Sequence, residues 1–184
     1  MLAEATIRAL NKHAEFCQKA AAFSGRPRER MLAFGEADEL FFRLYPHHYR
    51  ALQHVRVASQ LGRKVQPRRD RLRRCESRVM SLLTGVIRDA ITAADLEMAT
   101  PRSPEALAFS VWALTFGTRA LMNTAVASSQ LGIEDGFGTV CEVSNLLFDA
   151  LDWRPLSGEW DYQETRSRIR TELFGREWTD ASAA

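Results

Sequence analysis

The chain has 184 residues, 46% of them hydrophobic and 26% charged, with a formal net charge of +2. This length fits one domain that can bury most of its apolar surface, and the fractions are ordinary globular values. So small a net charge gives no ground for a nucleic-acid or membrane partner held by bulk charge. Three cysteines, Cys17, Cys75 and Cys141, are odd in number and widely spaced, with no Cys-x-x-Cys pair. That argues against a disulfide framework or zinc knuckle and for a reducing compartment. Each falls in an apolar helical stripe and is expected to be a small buried hydrophobe. Glu4 and Arg8 break any secretory signal. The uncharged run from Ala106 to Thr118 is shorter than the ~18–20 residues of a membrane span. The reading is a soluble, cytoplasmic protein.

Leu2 to Phe23 is predicted as one helix, with Ala3, Ile7, Leu10, Ala14, Cys17 and Ala21 at alternating spacings of four and three. Ser24-Gly25-Arg26-Pro27 ends it and starts a second helix, about Pro27 to Leu44. Phe34, Ala37, Phe41 and Leu44 form its stripe, and Pro46 stops it by pushing Tyr45 out of the helical region. A short helix from His47 to about Gln60 carries Tyr49, Leu52 and Val55. Arg63 to Arg78 is a basic run that opens a long helix reaching about Ala94, striped by Leu72, Cys75, Val79, Leu82, Val86 and Ala90.

Ser103-Pro104-Glu105 is a helix start: a capping Ser, a Pro at the first helical position and an acid in the positive first turn. From there to Ala127 the only charge after Glu105 is Arg119, and Phe109, Trp112 and Phe116 share one face. A helix apolar nearly all round must be buried nearly all round. One face can pack on its own core; the opposite face calls for a second partner. Ile133 to Leu151 follows, starting as late as Phe137 because Gly136 and Gly138 weaken its first turn. Asp152 to Leu156 is a turn, and about Gly158 to Phe174 is a last amphipathic helix with Tyr162, Ile169 and Leu173 inward. Residues 1–178 make a single all-helical domain, and 179–184 a disordered tail. No stretch alternates with period two, so no sheet is expected.

His47, His48 and His54 lie close in sequence, but no acid stands among them and no Glu-x-x-His occurs. No nucleophile elbow, phosphate loop or dinucleotide fingerprint is present, so no reaction is proposed and no cofactor is expected. The basic run reads as a solvated face, since no aromatic is interleaved for stacking. The aromatic set is the better candidate. Phe34, Phe41, Phe42, Tyr45 and Tyr49 would face Phe109, Trp112 and Phe116, as helix bundles build pockets from facing helices. Arg119, Asn123 and the tyrosine hydroxyls would orient a small, largely apolar ligand, and a buried Arg119 would want an anion on it.

The order of helices, together with MLAEATIRAL, SPEALAFSVWALTFGTRAL and SNLLFDALDWRPLSGEWDY, resembles the C-terminal domain of the tetracycline-repressor (TetR) family of transcriptional regulators. The resemblance spans nearly the whole chain as a pattern without an invariant motif. It implies an all-α bundle of about seven helices. It implies a pocket inside the helices that begin at Leu2, Pro27, about Pro67 and Pro104. It also implies a homodimer, closed by a four-helix bundle in which Thr118, Leu121 and Ala125 meet Val140, Ser144, Leu147 and Leu151. The family's N-terminal helix-turn-helix does not match any part of this chain. A shortened chain, a misplaced start site or a natural remnant would each account for that, and DNA would be bound only through the missing element. The competing readings are a helical-bundle metal protein or enzyme using His47 and His54, and a structural bundle without a ligand.

Overall fold

The computed structural model describes residues 2–48, 66–98, 103–122, 130 and 132–182, and all regular structure among them is helical. The helices are α1 (Leu2–Ala21), α2 (Pro27–Leu44), α3 (Gln66–Thr92), α4 (Pro104–Met122), α5 (Gly136–Ala150), α6 (Tyr162–Arg168) and α7 (Gly175–Ser182). A π-helical turn, Ile169–Leu173, joins the last two. Of the helix expected over His47 to Gln60, only His47 and His48 lie within the described residues. No described helix is long and apolar enough to cross a membrane.

The local stops and starts follow the chemistry read from the sequence. The Arg26 backbone N–H donates to Glu29 Oε2 at 2.7 Å at the head of α2, and Tyr45 closes its end before Pro46. Ser103 Oγ accepts the Ala106 N–H at 3.1 Å to cap α4. Asp135 caps α5 through the Gly138 N–H at 2.9 Å, so that helix begins at Gly136 and not at Ile133. Asp161 caps α6 through the N–H groups of Gln163 and Glu164.

The centre of the fold is α2, which packs on α1, α3, α5, α6, the π-turn and α7. Its buried residues include Phe34, Leu40 and Phe41, but also the charged Arg28, Glu36 and Glu39. The Ser103 stretch, expected to be buried nearly all round, is not the hub. α4 packs against α3 and α5, and only Leu107, Ala108 and Arg119 of it are buried. The face away from the core is exposed among the described residues. Phe109 is 59% exposed and Leu121 67%. On the neighbouring α5, Val143 and Leu146 are exposed at 43% and 67%.

The C-terminal end differs from the single helix expected over Gly158 to Phe174. The π-turn's wider ring lets the Phe174 N–H reach the Ile169 carbonyl, and both side chains are fully buried. Residues 179–182, read from the sequence as a frayed tail, complete α7. Trp153, in the connector after α5, is fully buried against Phe148, with ring centroids 4.8 Å apart.

Candidate functional site

A cavity of about 100 Å³ lies between α2 and a wall made by α1, α3, α4 and α5, with Arg166 of α6 at its edge. Its apolar lining comes from Met31, Phe34 and Phe41 of α2, Leu83 of α3, Val111 and Trp112 of α4, and Phe137, Val140 and Phe148 of α5. The helix period explains the choice on α4: Val111, Trp112, Thr115, Thr118 and Arg119 recur at three and four and so share one face.

Of the ligand residues expected from the sequence, the structure brings Phe34, Phe41, Trp112 and Arg119 to the cavity. Tyr45 stands behind Phe41, at 5.4 Å between centroids, and Phe116 behind Trp112, at 5.9 Å. Phe109 is a correction. It points to the outside, one turn before Trp112 on a helix whose inner face runs through Val111 and Thr115. Tyr49, Asn123 and Ala125 lie outside the described residues. Of the residues assigned to a dimer seam, Thr118, Val140 and Ser144 line the cavity, and Leu147 and Leu151 pack partly buried against the core. Only Leu121 is openly exposed. The outward face of α5 is one residue out of phase with the expected seam, at Val143 and Leu146.

The polar residues at the cavity form ion pairs that the sequence reading missed. Arg119 pairs with Asp38, so the anion expected from a ligand is supplied by α2. His13 Nε2 lies 2.7 Å from the other Asp38 oxygen and donates to it. Arg28 is fully buried. It donates to the carbonyls of Trp153 and Pro155 at 2.6 Å each and to that of Asn145 at 3.1 Å, and it pairs with Asp149 at 2.7 Å. Arg166 binds Glu36 and, at 3.0 Å, Glu39. Burial pushes the Glu36 carboxyl above its ordinary value, and Arg170 and Arg166 oppose the rise. A signal for these residues was present, since Glu36, Asp38 and Glu39 are three acids within four positions of the most aromatic helix. Acids on an inward helix face require cations from elsewhere in the fold.

His13, Cys17 and Asp38 come together at the cavity but do not form a catalytic triad. Cys17 Sγ is 3.6 Å from His13 Nε2, the same nitrogen that serves Asp38. A triad needs the acid and the nucleophile on opposite ring nitrogens. Burial pushes the Cys141 thiol up to about 11, so it stays protonated at neutral pH. Cys17 is buried as expected; Cys75 and Cys141 are only partly so. Among the described residues no group of three His, Cys, Asp or Glu stands together to hold a metal. His47 is exposed, and His54 lies outside the described residues.

A second feature sits at the surface where α1 meets the first half of α3. Arg8 and Asn11 of α1 and Arg71, Arg74 and Arg78 of α3 line a shallow groove. Arg78 donates to Gln18 at 2.6 Å, and Cys75 to Asn11 at 3.4 Å. Comparison of the chain with family models, curated proteins and solved structures finds no match.

Proposed function

We propose that this chain is a ligand-sensing and dimerisation domain of a TetR-like transcriptional repressor, cytoplasmic and without catalytic activity or cofactor. The observation that carries the reading is the cavity, enclosed by α1 to α5 and lined by aromatic and aliphatic side chains. A small, largely apolar effector seated there would favour one placement of these helices over another. In this reading DNA is bound by a helix-turn-helix outside the 184 residues, and α1 carries the bias to it. Two further features support the reading. Among the described residues, the outward face of α4 and α5 exposes apolar side chains, as a two-fold seam requires. The arginine groove flanks the N-terminal half of α1, so duplex brought there would meet positive charge.

A thermal-shift screen of neutral, anionic and cationic apolar compounds tests the sensor. A ligand at 100 times its Kd stabilises the folded chain by about 2.7 kcal/mol. At least one compound is expected to raise Tm with concentration; a screen in which none does sinks the proposal. The competing metal protein built on His47 and His54 predicts stoichiometric metal in protein purified without a histidine tag; the sensor predicts none.

A further inference from the structure

The surface where α1 meets α3 differs from the rest of the molecule in how its arginines are satisfied. Every arginine of α2, α4, α6 and the π-turn pairs with a carboxylate. In the groove, Arg78 is held instead by a neutral partner, the Gln18 amide oxygen. Arg8 and Arg74 are exposed, and neither has an ion pair among the described residues. No acid lines the groove among those residues. Glu76, two residues from both Arg74 and Arg78, is turned about 160° away from them round the helix. Asp70 stands one turn before Arg74 without pairing to it. Like charges one turn apart repel, so these arginines are held together with their charge uncompensated, in a chain whose net charge is only +2.

Spacing and lining narrow the kind of anion that would compensate it. Arg71, Arg74 and Arg78 recur at three and four and so form one row along α3, with Arg8 of α1 on the other wall. The row rises about 10 Å, a length of duplex along which each strand carries about three phosphates. The guanidinium fork matches phosphate oxygens. None of the lining residues is aromatic, so unpaired bases would have nothing to stack on. Its aliphatic members, Ile7 and Ala14, are half-buried and buried and offer no wedge to a lipid layer.

Building on the regulator reading above, we propose that this groove is a phosphate clamp for duplex DNA, in which Arg8, Arg74 and Arg78 hold the sugar–phosphate backbone whatever its sequence. Base readout stays with the element outside these 184 residues; the clamp supplies affinity and salt dependence.

Fluorescence anisotropy of two labelled duplexes of unrelated sequence, titrated with the whole chain, tests it. Both are expected to bind equally, with Kd below about 100 µM at about 50 mM salt. Log K should fall against log salt with a slope of about −3, at about −0.9 for each phosphate contact. Arg8→Gln and Arg74→Gln should each weaken both duplexes to the same degree and reduce the slope by about 0.9. Both positions are exposed, so Tm and the helical circular dichroism spectrum should stay at the parent values. Arg154→Gln, which removes an arginine paired with Asp152 and Glu159 elsewhere on the surface, should leave binding and slope unchanged. No saturable binding at about 50 mM salt, or an unchanged slope in both groove variants, would overturn the clamp. So would tighter binding to single-stranded DNA, or to phosphatidylserine vesicles, than to duplex. A chain that ignores duplex yet gains Tm with an apolar compound loses the clamp and keeps the sensor. One that binds duplex through these arginines while the thermal-shift screen stays blank keeps the clamp and loses the sensor.

Discussion

Arg28 shows how one buried side chain can organise a connector from a distance. It reaches from the first turn of α2 to three carbonyls around Trp153 and to Asp149, which lies more than a hundred residues on. Burial raises the Asp149 carboxyl, but the Ser157 hydroxyl, the Ser157 backbone N–H and Arg28 more than offset this and hold it below its ordinary value. A carboxyl with a lowered folded pKa contributes stability above its unfolded pKa of about 3.9. That contribution is lost as pH falls through the lower folded value. At pH 7, Asp149→Asn should therefore be less stable than the parent by about 1–2 kcal/mol, a charge-assisted hydrogen bond reduced by partial exposure. By pH 3 the gap should have narrowed. Urea unfolding at both pH values checks this; a gap that is the same at pH 3 as at pH 7 would show that Asp149 acts only through shape. None of this network was legible in the sequence, because Arg28 reads there as one of several charges in a helix's first turn. The Asp38–Arg119 pair was half legible, since Arg119 was read as wanting an anion but Asp38 was not read as supplying it. Each looks like an isolated charge until the fold sets α2 against α4.

Between α2 and the C-terminal segment, the contact is ionic where a helix bundle usually presents leucines. Glu39 is almost fully buried and accepts from three arginines: Arg43 at 2.8 Å on its own helix, Arg166 at 3.0 Å on α6 and Arg170 at 3.2 Å on the π-turn. Trp178 of α7 lies against the Arg170 guanidinium, 4.2 Å from ring centroid to Cζ. Removing one member of a buried cluster leaves its partners desolvated and unpaired, a loss of about 3–5 kcal/mol. Glu39→Ala should show a loss of that size by chemical denaturation, together with loss of protease resistance in α6 and α7 before the rest of the chain. A change under about 1 kcal/mol would mean that Glu36 alone holds the arginines. The major helices were legible from apolar spacing, capping residues and prolines. The break inside the last one was not. A π-turn needs an unusual spacing, here Ile169 with Phe174, and against a background of period 3.6 that pair looks like noise.

Among the described residues, one side of the molecule exposes apolar side chains, and the pattern there would decide how two copies meet. α4 was singled out as too apolar for a lone small domain; Trp112, Arg119 and Leu121 lie on the faces first assigned to them, while Phe109 and Thr118 change sides. Trp112, Thr118 and Arg119 face the cavity with Val140 and Ser144 of α5, while Phe109 and Leu121 face outward beside Val143 and Leu146. A 100° step per residue separates these sets, and stripe-reading misplaces a residue easily when a helix is apolar on all sides. If the outer face is the two-fold seam, Leu146 sits in it and Leu147 does not. The wild-type chain should then scatter light as a particle of twice its 20.8 kDa. Leu146→Glu should give a folded monomer with an unchanged helical circular dichroism spectrum, since the side chain is 67% exposed in the single chain. Leu147→Glu, by contrast, places a charge against the core and should lower Tm whatever the oligomeric state, because Leu147 packs on buried residues. Two carboxylates facing each other across the axis at position 146 would be desolvated and mutually repelled, so even millimolar protein should not restore the dimer. A Leu146→Glu protein that remains a dimer would place the seam elsewhere, and a monomeric wild type would remove the two-fold from the proposal while leaving the cavity and its ligand to be judged by thermal shift.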